Sequence, residues 1–219
     1  MVLTLAVLIS GQGSNLQALI DAISKGDLPE TKIALVLSNR KDAKGLVRAQ
    51  RANIPTCYHN LVSYGKRFPS SDTTTRYGTA AREAYDMDLA THVLSVKPSL
   101  VVMAGFMHIV TDSFLEPLAK ANVPAINLHP ALPNEYNGAK AIERAFIDFQ
   151  EGKLKDRTGV CVHYVIADVD AGAPIITQEV EIKDHDTLDD LEARMHDCEH
   201  LLIVSGTRIA LEELHYNRT

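Results

Sequence analysis

Four short stretches of the chain carry residue types whose spacing could do chemistry. In Gly11-Gln12-Gly13-Ser14-Asn15, two glycines leave consecutive backbone N–H groups open where a helix should begin, and such a run makes a site for a phosphate. The dinucleotide fingerprint is absent, because GxGxxG needs a glycine where Leu16 stands, and no GK[ST] ending follows. In Ile126-Asn127-Leu128-His129-Pro130, strand alternation sends Asn127 and His129 to one side, about 6.5 Å apart along the chain. An amide there can donate to a developing oxyanion, and an imidazole can give or take a proton near neutral pH. The run Ala167-Asp168-Val169-Asp170-Ala171-Gly172-Ala173-Pro174 offers two carboxylates that could orient an imidazole or raise its pKa. Asp and Gly are also ordinary turn residues. His163, in the approach to that run, fits either a hydrogen-bonded core histidine or a support for the same site.

The fourth stretch, His196-Asp197-Cys198-Glu199-His200, fits HxxEH, the zinc pattern of inverzincin peptidases, with both histidines on one helical face. A zinc enzyme would need a further ligand from elsewhere. The alternative is a helix face that meets a ligand cleft. His59, His92, His108, His185 and His215 share no recognisable spacing, and surface or satisfied histidines are the expectation for them.

These residues must be held by regular elements. Apolar runs of strand length recur at 3–9, 33–37, 100–103, 125–128, 160–166 and 175–182. Leu16, Leu19, Ile20 and Ile23 make one helical stripe, with Ser14 and Gln17 reading as a capping box and Gly26 as the stop. Residues 44–52, 79–97, 139–149 and 187–214 also read as helices, and Phe68 to Thr75 as a polar loop. Alternation of continuous apolar strands with helices predicts an α/β fold with a doubly wound, mostly parallel sheet. The connection from Ala167 to Pro174 has no room for a crossover, so the last two strands should form a hairpin, followed by a long helix. A sheet of this kind binds ligands beyond the carboxyl ends of its strands. The reading is one domain over residues 1–219, with a phosphate-binding half at 1–110 and a catalytic half at 111–219.

The chain has 219 residues, 46% hydrophobic and 23% charged, enough for a sizeable core and unlike disordered or fibrous chains. Its 22 basic and 28 acidic side chains give a net charge of -6, so no overall field favours nucleic acid. Three cysteines without CxxC spacing argue against a disulfide framework or zinc ribbon and point to a reducing, cytoplasmic compartment. The opening apolar run is too short to span a bilayer and reads as a strand, so no membrane partner is expected.

Taken in order, VLISGQGSNLQALIDA (7–22), REAYD (82–86), VVMAGFMHIV (101–110), INLHPAL (126–132), VHYVIADVDAGAPII (162–176) and EARMHDCEH (192–200) resemble the glycinamide ribonucleotide formyltransferases. These are also called phosphoribosylglycinamide formyltransferases, the folate-dependent transformylases of purine synthesis, with a Rossmann-like formyltransferase fold. The resemblance covers nearly the whole chain. It implies a ribonucleotide phosphate on Gly11, Gln12 and Gly13, with Ser14 and Asn15 beside them, and a catalytic group of Asn127, His129 and Asp170 supported by His163. It further implies that a formylfolate meets Met107, His108, Ile109, Val110, Ala167, Asp168 and Val169. Arg82 would meet the folate's glutamate, and Glu199 the ribose hydroxyls with His196 nearby, which accounts for HxxEH without a metal. His108 stands where the family often has Arg, His196 where it often has Gln or Lys, and residues 133–138 lack the usual SLLP ending.

The implied reaction moves the formyl group of 10-formyltetrahydrofolate, a co-substrate, to the amine of glycinamide ribonucleotide without an acyl-enzyme. The partners are then small molecules, with the protein a monomer or homodimer. A formyltetrahydrofolate deformylase of the same fold is the alternative, although that family generally carries a further N-terminal domain. Methionyl-tRNA formyltransferases usually add a basic C-terminal domain, and a nucleotide-binding module without chemistry would have no use for Asn127, His129 and Asp170. The HxxEH zinc enzyme stands last.

Overall fold

The computed structural model describes residues 2–70 and 77–216. Residues 71–75 of the expected polar loop lie outside the described residues. The strands are β1 (Leu3–Ile9), β2 (Thr31–Ser38), β3 (Thr56–Tyr58), β4 (Leu100–Met103), β5 (Ala125–His129), β6 (Arg157–Tyr164) and β7 (Pro174–Glu181). They form a seven-stranded sheet in the order β3-β2-β1-β4-β5-β6-β7. The helices are α1 (Ser14–Lys25), α2 (Lys44–Arg51), α3 (Val62–Arg67), α4 (Thr79–Leu94), α5 (Asp112–Lys120), α6 (Ala141–Gln150) and α7 (Leu188–Tyr216). The chain divides into two compact units, Met1–Ala125 and Ile126–Thr219.

In the first unit β1 pairs in parallel with both β2 and β4, and β2 with β3. Leu5 to Ile9 and Leu100 to Val102 are fully buried, as apolar strands covered on both faces require. Strand order reverses between β1 and β4, so their carboxyl ends frame the crevice where such sheets take ligands. Ser10 ties those ends together: its Oγ donates to Asn39 Oδ1 at 2.7 Å and accepts from Met107 N at 2.7 Å.

The second unit departs from parallel pairing. β5 pairs antiparallel with β6, and β6 with β7, giving the expected hairpin. In that register Asn127 lies opposite His163, and His129 opposite Cys161. The 29-residue α7 follows. Its start is a true capping box: Asp190 N donates to Thr187 Oγ1, and Thr187 N to Asp190 Oδ2. Among the described residues no helix is long and apolar enough to cross a membrane.

The capping box expected at Ser14 and Gln17 does not form. Gly13 caps α1 in the left-handed conformation, φ 70°, with no side-chain bond. Gln17 instead donates to Asp21 Oδ1 at 2.8 Å. The reason is packing: a Cβ on Gly13 would lie 2.5 Å from the Gly45 Cα, where the backbone of α2 presses on the loop. α3, α5 and β3 escape the periodicity reading because they are short or, in α5, carry Pro117 inside the helix. Replacing Gly13 with Ala meets both a positive φ and a backbone neighbour, and should cost about 1–3 kcal/mol in a denaturant titration. An unchanged midpoint would contradict this account of the turn.

Candidate active site

In the first unit, the loop Gly11–Gly13 runs from β1 into α1, whose leading N–H groups have no helical partner. Two contacts from α2 fix it. Gly45 N donates to Gly11 O at 3.1 Å, and Arg48 Nε donates to Gln12 O at 2.9 Å. Arg48 also reaches Gln17 Oε1 at 3.3 Å. Ser14 and Asn15 occupy the first helical turn, Asn15 buried. Sequence reasoning missed Gly45 and Arg48, whose only signal was a glycine and an arginine on one predicted helix.

The segment Met107–Val110 is held from behind by α4. Arg82 Nη2 donates to Ile109 O at 2.8 Å. Asp86, fully buried, takes His108 Nε2 at 2.7 Å on one oxygen and Thr111 N at 2.6 Å on the other. The Tyr85 and His108 rings meet edge to face at 4.9 Å. Met107 and Ile109 are exposed while Val110 is buried. The histidine that stands where the family often has Arg is therefore the partner of an interior carboxylate, and Asp86, one helical turn after Arg82, is the residue that sequence reasoning overlooked.

In the second unit the register brings Asn127, His129, His163 and Asp170 together. Asn127 Nδ2 donates to Asp170 Oδ1 at 3.2 Å and lies 3.3 Å from His163 Nε2. His129 Nδ1 is 3.4 Å from Asp170 Oδ2, and its Nε2 is 3.3 Å from Glu135 O. His163 Nδ1 donates to Tyr164 O at 2.9 Å, and its Nε2 is 3.5 Å from Asp170 Oδ1. A neutral His163 accepts the Asn127 N–H, whereas a protonated one donates to Asp170.

Asp170 holds this position with φ 55°, in the left-handed region that Asp tolerates better than most residues. The hairpin loop is tight: a Cβ on Gly172 would sit 1.7 Å from Tyr164 O. Gly138 N, which sequence reasoning did not single out, donates to Asp170 Oδ2 at 2.8 Å. Of the two loop carboxylates, Asp170 meets the histidines, while Ala167 and Asp168 are exposed and Val169 is half-buried, its carbonyl accepting from Asn137 Nδ2. On α7, Glu199 is buried and His196 exposed. Among the described residues no group of three or more His, Cys, Asp and Glu side chains is gathered to hold a metal.

The electrostatics follow from burial. Burial lowers the His129 pKa below its ordinary value, and it outweighs the lift from Asp170 and from the Glu135 carbonyl. Burial also opposes the charge of Asp170, but His163, the Gly138 N–H and His129 together hold its pKa below the usual carboxylate value. Cys161, opposite His129, is no ready nucleophile, since burial pushes its thiol up to about 11.

The chain belongs to the formyl transferase family, whose model matches residues 3–207. It is 49% identical to the phosphoribosylglycinamide formyltransferase of Schizosaccharomyces pombe, over 94% of this chain and 96% of that protein. It is 43% identical to the enzyme of the same name from Saccharomyces cerevisiae, over 96% and 98%. Among solved structures it resembles the phosphoribosylglycinamide formyltransferase of Coxiella burnetii, with a TM-score of 0.76 and 36% identity over 96% of this chain and 86% of that one.

A histidine whose pKa is lowered on folding stabilises the protein fully above its ordinary value near 6.5, and that stability is lost as pH falls towards the folded value. Asp170 stays ionised throughout this window. Parent and His129→Asn should therefore differ less in unfolding free energy at about pH 5 than at about pH 8, measured by urea titration. A constant difference would contradict the buried, neutral imidazole.

Proposed function

We propose that this chain transfers the formyl group of 10-formyltetrahydrofolate to the amine of glycinamide ribonucleotide, as one formyltransferase domain over residues 1–219. What carries the reading is the convergence of Asn127, His129 and Asp170, an amide, an imidazole and a carboxylate from β5 and the β6–β7 loop. Family membership supports the reaction class, and full-length relatives at 43–49% identity, named for this activity, support the substrate. The three free cysteines support a reducing, cytoplasmic setting.

The amine attacks the formyl carbon as its free base, which puts negative charge on the formyl oxygen and positive charge on the attacking nitrogen. Asn127 has two amide N–H groups, and the one that faces His163 Nε2 is the one that turns to the oxyanion, since a charged acceptor binds more strongly. His129, its pKa lowered by burial, begins neutral. Both of its nitrogens face acceptors, Asp170 Oδ2 and Glu135 O, and only the doubly protonated ring satisfies both. It is therefore suited to take the proton shed by the amine, to stabilise the oxyanion as imidazolium, and then to return the proton to N10 as the carbon–nitrogen bond breaks.

No acyl-enzyme is needed, and Cys161 is kept as a thiol. The phosphate would lie on the amides of Gly11, Gln12, Gly13, Ser14 and Asn15, the ribose near Glu199 and His196. The folate would lie on Met107–Val110 and Ala167–Val169 with Arg82, and no metal takes part.

An absorbance assay of folate deformylation tests this reading. Turnover should require glycinamide ribonucleotide, and Asn127→Ala and His129→Ala should each lower kcat by about 10²–10³ with the fold intact by circular dichroism. Turnover that ignores the amine would make the protein a hydrolase, and a near-parental His129→Ala would remove the imidazole from the chemistry.

A further inference from the structure

The loop between β5 and α6 adopts an unusual backbone. Asn134, Tyr136, Gly138 and Lys140 all have positive φ, at 66°, 48°, 84° and 60°. Three of these are not glycine, and L side chains rarely adopt that left-handed conformation. Such a conformation persists only where its surroundings over-determine it.

The two ends of the strained turn touch the catalytic pair. Glu135 O is the acceptor at 3.3 Å from His129 Nε2, and Gly138 N donates to Asp170 Oδ2 at 2.8 Å. Asn137 Nδ2 adds a bond to Val169 O, next to Asp170, at 3.1 Å. The residues in between, Tyr136 and Asn137, carry no reacting group, but one side chain grips both of their carbonyls. Arg144, in the first turns of α6, donates through Nη2 to Tyr136 O and, at 2.8 Å, to Asn137 O. Its guanidinium also lies over the Tyr136 ring, 5.6 Å from the centroid. The far end of that ring is pinned in turn, since Tyr136 Oη donates to Asp148 Oδ2 at 3.1 Å.

We propose that Arg144 is a positioning residue for formyl transfer: by holding the 136–137 carbonyls it aims Glu135 O at His129 and Gly138 N at Asp170. The inference rests on the formyltransferase reading for its rate consequence, and on geometry alone for its structural one. A planar guanidinium suits the role because it is always charged and presents fixed donors to two carbonyls at once. Without it the loop relaxes towards ordinary backbone angles, and the imidazole and carboxylate lose the two backbone groups that orient them.

The test compares Arg144→Met and Arg144→Lys with the parent chain. Arg144→Met should lower kcat about 10²-fold, the scale of a displacement of about 1 Å in a catalytic geometry, with KM for both substrates near parental. Arg144→Lys should recover part of the loss, since an ammonium can still donate to the carbonyls. Independently of turnover, the His129 imidazole resonances in a ¹⁵N-histidine spectrum should move in Arg144→Met, because Nε2 loses its carbonyl partner. A parental kcat with only a lowered melting temperature would overturn the proposal, as would unmoved His129 resonances. If Arg144→Met fails to fold, the uncharged Arg144→Gln decides the matter by the same split, and a parental kcat with unmoved His129 resonances there overturns it. A parent chain that transfers no formyl group at all would defeat the functional reading, while the His129 spectrum would still judge Arg144.

Discussion

One carboxylate organises the second unit. Asp170 takes a backbone N–H from Gly138 and an amide N–H from Asn127, and it faces His129 and His163 at 3.4 and 3.5 Å. A carboxylate with only 10% of its side chain exposed must have its oxygens satisfied or lose its charge, and that demand explains the local structure. The left-handed Asp170, the close approach at Gly172 and the strained turn before α6 each bring a donor or a backbone segment to those two oxygens. Burial outweighs the lift that Asp170 gives, so His129 keeps a pKa below its ordinary value. An imidazole that starts neutral among acceptors is ready to gain a proton, and that is the chemistry assigned to it.

The first unit uses the same physical device for a different end. Asp86 is wholly buried and spends its oxygens on His108 and on the backbone of Thr111. Arg82, one turn earlier on α4, caps the carbonyl of Ile109, and Ser10 takes the N–H of Met107. Apart from the His108 ring, what these groups fix is main chain. The unit thereby offers backbone donors and acceptors between two exposed apolar side chains, Met107 and Ile109, together with the amides of the Gly11–Gly13 turn.

How far the sequence was legible depends on the range of the cause. β1 and β4 declare themselves as apolar runs because they are covered on both faces, and the β6–β7 hairpin because its connection is too short for a crossover. Period two along β5 was enough to put Asn127 and His129 together. The choice of Asp170 over Asp168 was not readable from residue types, since it turns on a single left-handed backbone angle and on Gly138, 32 residues away. Arg144 and Asp86 escaped for a related reason: Arg144 bonds backbone carbonyls and Asp86 a backbone N–H and the His108 ring of another segment, which leave no pattern in composition. The capping box expected at α1 does not form because the contact between Gly13 and Gly45 outranks local capping chemistry, whereas at Thr187 and Asp190 the capping box forms.

At Asp170 the charge of the side chain matters more than its shape. Asp170→Asn keeps the size and an oxygen for the Gly138 N–H but removes the charge that supports an imidazolium at His129. Its single-turnover rate of formyl transfer, at saturating donor and amine, should fall by about 10²–10³ relative to the parent. A rate within about twofold of the parent would mean that the carboxylate only builds the loop, and that the proton is handled elsewhere.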